Sequence, residues 1–324
     1  MFALPGGLPP IGHSRDVRRR VVLLGCGHDL HAPTATLGQA TADRLAAGVG
    51  KDLQMSTVSY RDFTGTAAEN YQRYFVPAIA TPVSAGLLET ARLQPGQRVL
   101  DVACGTGVIA RLAAEAVGST GSVTGLDLAP DMIAVARATR APAEPSIDWH
   151  IGDAASLPFP DDTYDSVLCQ MGLMFISDRP AAIAEMRRTL VSGGRVVIST
   201  PGAIQPPFEI LERALVKHIG ADLGRFVRAV FSMHDPSAVA SILRDAGLRD
   251  VTATTKQATL QLPAPAEFLW QYINLTPMAP IVDRAPEAAK NAMERDVVEH
   301  WQPFVGEGGA VVGEQPMVIG SGWK

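Results

Sequence analysis

Apolar and polar positions in the middle of the chain follow the periods of a strand, a helix and a second strand. Residues 99–103 form a short apolar run, a glycine turn interrupts it, and apolar residues then recur at helical spacing over residues 108–116. Residues 122–126 form a second apolar run that leads to Asp127. Short continuous apolar runs are typical of strands buried on both faces of a parallel sheet. This stretch therefore predicts a βαβ unit.

The same pattern continues towards the C-terminus. Helical stretches alternate with further runs of strand character, which cover residues 147–151, 164–169, 195–200, 251–262 and 317–320. Strands that alternate with helices indicate a sheet covered by helices on both faces. We therefore predict an α/β fold with a doubly wound, mostly parallel sheet of seven strands. Two helical blocks, at about residues 201–247 and 264–304, are longer than a crossover requires, and we expect them to form helical caps.

The N-terminal segment has a different character. Residues 1–55 contain proline and glycine clusters and a basic run, so we expect a poorly ordered extension. Residues 21–27 imitate a strand that enters a glycine turn, but residues 28–33 supply neither the helix nor the acid-tipped second strand of a nucleotide site. Aromatic residues at helical spacing begin near residue 63. We therefore expect the folded domain to cover residues 56–324.

Composition narrows the class of protein. The 324 residues carry a net charge of −5, so we expect no nucleic-acid partner. The three cysteines are widely spaced and odd in number, which favours reduced thiols over a disulfide framework. The histidines show no zinc-ligand spacing, and we predict no metal site. Without a membrane-length apolar run or a signal peptide, we expect a cytoplasmic protein.

The glycine turn after the first strand carries the candidate chemistry. Gly105 and Gly107 allow a sharp turn and a close approach of a ligand to the main chain. Asp127 follows Gly107 by 20 residues, a spacing that places a carboxylate near a bound ribose. Dinucleotide-binding proteins have a third glycine where this chain has Ala110, and Asp101 would repel a diphosphate. A carboxylate at that position suits a cationic ligand that carries an ammonium group.

At this point the chain resembles a known family. The segment from Asp101 to Gly107, DVACGTG, is similar to the first motif of the class I S-adenosylmethionine-dependent methyltransferases. Residues 152–159, GDAASLPF, resemble the adenine-binding motif of small-molecule methyltransferases related to ubiquinone and menaquinone biosynthesis enzymes. The resemblance is most specific over residues 99–175. It implies a Rossmann-like methyltransferase fold, S-adenosyl-L-methionine as cofactor, and a last pair of strands that is antiparallel at the sheet edge.

The resemblance also implies a cofactor site along the carboxyl ends of the strands, where parallel sheets bind ligands. Asp101, Asp127 and Asp153 are expected on one rim, near the ammonium group, the ribose and the adenine respectively. Met132 is expected against the adenine ring, and Gln170 near the amino-acid portion. The complete set of expected cofactor-binding residues is Asp101, Ala103, Gly105, Gly107, Asp127, Leu128, Met132, Asp153, Ala154, Gln170 and Tyr71.

The predicted reaction is methyl transfer to a small, partly hydrophobic acceptor, at carbon or oxygen, by in-line displacement. Such a reaction depends chiefly on alignment of the reactants, and it requires a base only when the acceptor must lose a proton. His218, His234 and His300 are scattered, and we assign no catalytic residue. Met174 and Phe175 are candidates for the acceptor pocket. Phe268, Trp270, Tyr272 and Met278 either line that pocket or pack in the core.

Two other functions are compatible with parts of the pattern. A nicotinamide-dependent oxidoreductase could use the same sheet, although the missing third glycine and the extra carboxylates disfavour it. A non-catalytic protein that binds S-adenosylmethionine is the second alternative, since binding residues do not establish chemistry. The sequence leaves the acceptor and the oligomeric state open.

Overall fold

The structure is a computed structural model that describes residues 65–139 and 145–324. The expected N-terminal extension, residues 1–55, lies outside the described residues. The strands are β1 (Arg98–Val102), β2 (Ser122–Asp127), β3 (Ile147–Ile151), β4 (Tyr164–Gln170), β5 (Leu190–Pro201), β6 (Arg249–Leu262) and β7 (Val311–Trp323). They form one seven-stranded sheet in the order β3-β2-β1-β4-β5-β7-β6.

Helices connect these strands. They are α1 (Ala67–Asn70), α2 (Ser84–Ala91), α3 (Val108–Val117), α4 (Pro130–Ala138), α5 (Arg179–Thr189), α6 (Pro206–His218), α7 (Ala221–Val230), α8 (Pro236–Asp245), α9 (Pro265–Asn274), α10 (Ala279–Asp283) and α11 (Glu287–Trp301). A π-helical segment, Tyr71–Ala80, continues α1. Short 3₁₀ turns cover Leu173–Phe175, Gln302–Phe304 and Glu307–Gly309. No helix of the described residues is long and apolar enough to cross a bilayer.

The sheet topology confirms the predicted fold. Strands β1 to β5 pair in parallel, whereas β7 is antiparallel to both β5 and β6. Strand order reverses between β1 and β4, which is the point where open α/β sheets bind ligands. Val99, Leu100 and Val102 of β1 have no exposed surface, as expected for a central strand between two helical layers. The fold therefore places the glycine turn after β1 at the ligand-binding edge.

Two elements differ from their sequence predictions. The final strand was predicted at residues 317–320, but β7 has 13 residues because Val311–Gln315 pair with the far half of β6. Gly313 and Glu314 interrupt the apolar pattern there, so the strand is visible only through its partner. The strand predicted at residues 195–200 begins at Leu190, through an irregularity in its pairing with β4.

The first described helix also has a geometry that its periodicity does not reveal. Thr66 caps α1, with its side chain accepting from the Glu69 N–H while the Glu69 carboxylate accepts from the Thr66 N–H. The helix then continues with wider turns, as the ten-residue π-helical segment, which contains Pro77. Wider turns of this kind are rare and often lie at functional sites. Here the segment carries Tyr71 and Phe75 towards the edge of the sheet.

Gly105 and Gly107, in the turn after β1, differ in why the structure has glycine at that position. Gly107 has φ +87°, and a Cβ built on it would lie 2.1 Å from the Trp149 ring of β3. Gly105 has φ +55°, and a Cβ there would lie 3.8 Å from the nearest atom, on the Tyr71 ring. Gly107 is therefore required by packing inside the protein. Gly105 leaves open space on its outer side.

We predict that Gly107→Ala lowers the free energy of unfolding by about 2 to 4 kcal/mol, because backbone strain and the clash with Trp149 add together. The matched control is Gly308→Ala, since Gly308 has φ +81° but no atom within 4 Å of a built Cβ. It should cost only about 1 kcal/mol, from the backbone alone. Urea unfolding measures both; equal losses would show that Trp149 does not constrain the turn.

Candidate functional site

Asp127, at the end of β2, holds the glycine turn in place. Its Oδ2 accepts a hydrogen bond from the Gly105 N–H at 2.8 Å, and its Oδ1 accepts one from the Ala129 N–H at 2.9 Å. Burial raises the pKa of Asp127, and these hydrogen bonds act in the opposite direction. The side chain is only partly buried, so it can also accept from a ligand. Asp127 thus joins two strand ends at the predicted ribose position.

Asp101 lies deeper than the predicted rim. It is 1% exposed, and its Oδ2 accepts from the Ala110 N–H in the first turn of α3 at 2.9 Å. Burial raises the pKa of Asp101 to about 8, and the nearby Asp127 adds to the rise while the Ala110 hydrogen bond and Arg111 oppose it. The structure therefore shows Asp101 linking β1 to α3. Its predicted contact with an ammonium group stays a prediction.

The end of β3 presents polar and apolar groups side by side. Asp153 is exposed, and its Oδ1 accepts from the Ala155 N–H at 2.9 Å, whereas Ala154 is buried. Two large apolar side chains near this edge stay in solvent, with Leu128 68% and Ile151 51% exposed. Isolated exposed apolar side chains are ordinary, but here they flank two predicted adenine-binding residues. The surface is suited to a flat, partly polar ring.

Tyr71 connects the glycine turn to the rest of the site. Its ring packs on Phe75, with 4.6 Å between centroids, and a Cβ on Gly105 would lie 4.0 Å from its hydroxyl oxygen. Burial raises its pKa, and the carboxylates of Asp127 and Asp101 raise it further. The phenol therefore stays protonated and is able to donate. Ala103, at the start of the same turn, adopts φ +55°.

Gln170, at the end of β4, presents an unpaired acceptor. Its Nε2 donates to the Ala80 carbonyl at the end of the π-helical segment, at 2.9 Å. Its Oε1 is buried and has no hydrogen-bond partner among the described residues. A buried unpaired acceptor costs about 1 to 3 kcal/mol, so it is expected to meet a donor when the site is filled. An ammonium group is such a donor.

An apolar cavity of about 270 Å³ adjoins these groups. Its lining comes from the π-helical segment and the residues after it, the first turn of α4, the turn after β4, the helical blocks, and strands β5, β6 and β7. The lining residues are Tyr71, Phe75, Ile79, Val83, Met132, Met171, Met174, Phe175, Pro201, Phe208, Phe226, Val230, Phe231, Leu260, Tyr272, Leu275, Thr276, Pro277, Gln315 and Met317. None of these side chains is charged. Tyr71 and Met132 belong both to the predicted cofactor site and to this lining.

The cavity includes only some of the residues suggested for the acceptor pocket. Met174, Phe175 and Tyr272 line it. Phe268 and Trp270 are buried elsewhere, Phe268 against Trp301 and Trp270 through a hydrogen bond from its Nε1 to Glu294. Met278 is also buried outside the lining.

The sequence analysis missed two groups of lining residues. Phe208, Phe226, Val230 and Phe231 come from α6, α7 and the residue after α7, whereas Leu260, Gln315 and Met317 come from β6 and β7. Their apolar periodicity marked helices and strands, but it did not show which faces would meet.

The three histidines considered as bases are not among the lining residues. His218 contacts Asp296 at 2.7 Å, and His300 contacts the same carboxylate at 3.1 Å. The Nδ1 of His234 lies 2.9 Å from the Phe231 carbonyl. Within residues 65–139 and 145–324, no three His, Cys, Asp or Glu side chains form a group that could hold a metal ion.

The fold and the site together define an α/β protein with a glycine turn at the ligand-binding edge of its sheet and an apolar cavity beside that turn. A methyltransferase domain family matches residues 99–194. The demethylmenaquinone methyltransferase of Lysinibacillus sphaericus is 36% identical over 172 residues, which is 49% of this chain and 73% of that protein. The nocamycin O-methyltransferase of Saccharothrix syringae is 32% identical over 213 residues, 60% of this chain and 74% of that protein. The chain belongs to the S-adenosylmethionine-dependent methyltransferases.

Other relatives match a shorter part. The 2-phytyl-1,4-naphtoquinone methyltransferase of Synechococcus elongatus is 42% identical over 107 residues, 32% of this chain, and the match spans just under half (46%) of that protein. Among solved structures, a phosphoethanolamine N-methyltransferase of Haemonchus contortus is 19% identical over 83% of this chain and 60% of its own, with a TM-score of 0.49.

We predict that the pH dependence of cofactor affinity distinguishes a binding role of Asp101 from its structural hydrogen bond to Ala110. Because a nearby cation favours the ionised carboxyl, the ratio of S-adenosylmethionine Kd values, Asp101→Asn over wild type, should rise by roughly tenfold per pH unit up to about pH 8. Calorimetry from pH 6 to 9 measures both, and titration of the ligand itself cancels in the ratio. A ratio independent of pH would remove Asp101 from the ammonium site.

The contribution of Asp101 to the free energy of unfolding should fall as pH rises, whereas its contribution to cofactor binding should increase. The folded carboxyl keeps its proton up to about pH 8, whereas the unfolded one loses it near its ordinary pKa of 3.8. Asp101 therefore lowers the free energy of unfolding as pH rises between these values. Asp101→Asn, which can still accept from Ala110, should reduce that decline in urea unfolding measured from pH 5 to 8.

Proposed function

We propose that the protein transfers a methyl group from S-adenosylmethionine to a small, apolar, electron-rich acceptor held in the 270 Å³ cavity. The observation that supports this most is the continuity of the cavity with the glycine turn. Tyr71 lies against Gly105 on one side and lines the cavity on the other. A nucleoside on the turn would therefore adjoin an acceptor in the cavity.

The amino-acid end of the cofactor is assigned to groups that lack a partner or carry charge. The free Oε1 of Gln170 would accept from the ammonium group, and a cation there would favour the ionised form of the Asp101 carboxyl, whose pKa burial raises to about 8. The Tyr71 hydroxyl is available to donate to the cofactor. The open side of Gly105 leaves room for a ligand near the main chain, with Ala103 and Gly107 shaping the same turn.

The nucleoside end is assigned to the edges of β2 and β3. Asp127 would accept from the ribose hydroxyls while it keeps its bonds to Gly105 and Ala129. Leu128 and Met132 would contact the faces of adenine, and Asp153 with the Ala154 N–H would bind its polar edge. The exposure of Leu128 supports this assignment, because adenine would cover an apolar side chain that is now in solvent.

The cavity lining restricts the chemistry of the acceptor. S-adenosylmethionine supplies an electrophilic methyl group when it is bound. Among the described residues, no histidine, carboxylate or lysine lines the cavity to remove a proton, and the two lining phenols, Tyr71 and Tyr272, have raised pKa values. The acceptor must therefore be nucleophilic without a protein base, as an electron-rich ring carbon or an acidic enol or phenol is. The chain contributes alignment and exclusion of water.

The names of three relatives support an oxygenated acceptor. The names of the L. sphaericus and S. elongatus proteins specify naphthoquinone-type acceptors, and that of the S. syringae protein specifies methylation at oxygen. A hydroquinone is apolar on its faces and electron-rich at carbon, which suits a cavity of aromatic and aliphatic side chains. We therefore propose a hydroquinone-type or enol-type ring as the acceptor class.

Calorimetry and turnover test the proposal together. The purified protein should release heat with S-adenosylmethionine and not with NAD or NADP. Under anaerobic conditions, it should form S-adenosylhomocysteine with 1,4-naphthohydroquinone. Cofactor binding without turnover across a series of phenols, enols and hydroquinones would favour the non-catalytic alternative. Binding of NAD in place of S-adenosylmethionine would favour the oxidoreductase.

We predict that Phe175→Ala weakens acceptor use without affecting the cofactor. Phe175 is 53% exposed and stacks on Phe226 with 6.2 Å between centroids, so its loss should leave the core intact. The KM for naphthohydroquinone should rise about 2- to 10-fold, the range for an aromatic contact. The Kd for S-adenosylmethionine should stay unchanged; a parallel rise in that Kd would place Phe175 in the cofactor site. Ile281→Ala, 42% exposed and outside the cavity lining, is the control.

A further inference from the structure

Tyr272 of α9 is a polar residue in an apolar wall. It lines the cavity, is 3% exposed, and packs against Phe268 at 5.6 Å and Phe208 at 6.0 Å between ring centroids. Its ring thus belongs to an aromatic cluster in which Phe208 also lines the cavity and Phe268 lies behind the lining. Its hydroxyl needs a separate explanation.

Most other polar groups of the lining already have partners. The Thr276 hydroxyl donates to the Ile273 carbonyl at 2.9 Å, and the Gln315 Nε2 donates to the Pro316 carbonyl at 2.8 Å. Tyr71 is assigned to the cofactor. The Tyr272 hydroxyl makes no hydrogen bond within the part of the chain that the structure describes, and burial is the only influence on its pKa. It is the polar group of this wall left for the acceptor.

The properties of this hydroxyl specify what it can bind. Because burial raises its pKa, it stays protonated and can donate to an oxygen atom. In an apolar cavity, such a donor favours a ligand that supplies an acceptor atom and disfavours one that leaves it unpaired. Its position on a rigid aromatic wall would fix the orientation of a bound ring.

We propose that Tyr272 determines acceptor specificity by donating a hydrogen bond to a ring oxygen of the acceptor. The inference rests on the proposed function and extends it, since it requires that the acceptor carry an oxygen that faces α9. Tyr272 holds the ring in one orientation, which decides which atom of the ring is presented for methylation.

The test compares Tyr272→Phe with a matched control, Tyr164→Phe. Tyr164 is 5% exposed and lies at the start of β4, outside the cavity lining, and Thr124 hydrogen-bonds its hydroxyl. Calorimetry measures the Kd of 1,4-naphthohydroquinone for each variant, anaerobically and with S-adenosylhomocysteine present. Tyr272→Phe should raise this Kd about 3- to 10-fold, the range for a neutral hydrogen bond. Tyr164→Phe should leave it unchanged.

Stability gives the second readout. Tyr272→Phe removes an unpaired hydroxyl, so its melting temperature should equal or exceed that of the wild type, whereas Tyr164→Phe should melt lower. A lower melting temperature for Tyr272→Phe, an unchanged Kd, or no binding of naphthohydroquinone by the wild type would overturn the inference. Because binding is measured without turnover, a protein that binds the ring but transfers no methyl group would contradict only the proposed function.

Discussion

The two hydrogen bonds that the Asp127 carboxylate accepts are the constraint on which the rest of the site depends. One carboxylate accepts from Gly105 in the turn after β1 and from Ala129 at the start of α4, so it fixes two neighbouring strand ends relative to each other. The turn itself has positive φ at Ala103, Gly105 and Gly107, a conformation that costs energy for any side chain and needs such an anchor. With the turn fixed, Tyr71 has a surface to lie against, and the cavity has a defined end.

The charges around this turn favour one class of nucleoside. The nearby Asp127 adds to the raised pKa of Asp101, as expected for repulsion between two carboxylates, and Arg111 acts in the opposite direction. A cationic ligand relieves this repulsion, whereas a diphosphate would add to it. The electrostatics of the described residues therefore agree with family membership, and they give a physical reason to disfavour a nicotinamide dinucleotide.

The local pattern of apolar residues and glycines predicted the sheet well, because buried parallel strands and glycine turns are each encoded within a few residues. It predicted that Asp101, Asp127 and Asp153 lie in or just after three successive strands, but not the depth of Asp101, since burial depends on how α3 packs on β1. Of the residues that line the cavity, the sequence suggested only Met174, Phe175 and Tyr272 for the acceptor pocket. Phe208 and Phe231 lie 33 and 56 residues after Phe175 in sequence, and only the folded arrangement brings them to the same cavity as Phe175. The widened turns of Tyr71–Ala80 had no sequence signal except Pro77.

The site separates two tasks between two kinds of element. In the proposed function, the polar groups assigned to the cofactor come from strand ends, whose backbone bonds hold them rigidly, whereas the wall assigned to the acceptor comes from helices and the β6–β7 pair. Asp296 of α11 accepts from Lys217 and His218 of α6, so the cap helices are tied to each other without any charge entering the cavity. Substitutions in the cap can then alter acceptor shape while the turn after β1 stays intact. Since alignment is the main demand of methyl transfer, the proposed hydrogen bond from Tyr272 would be sufficient to select the reacting atom by orienting the ring.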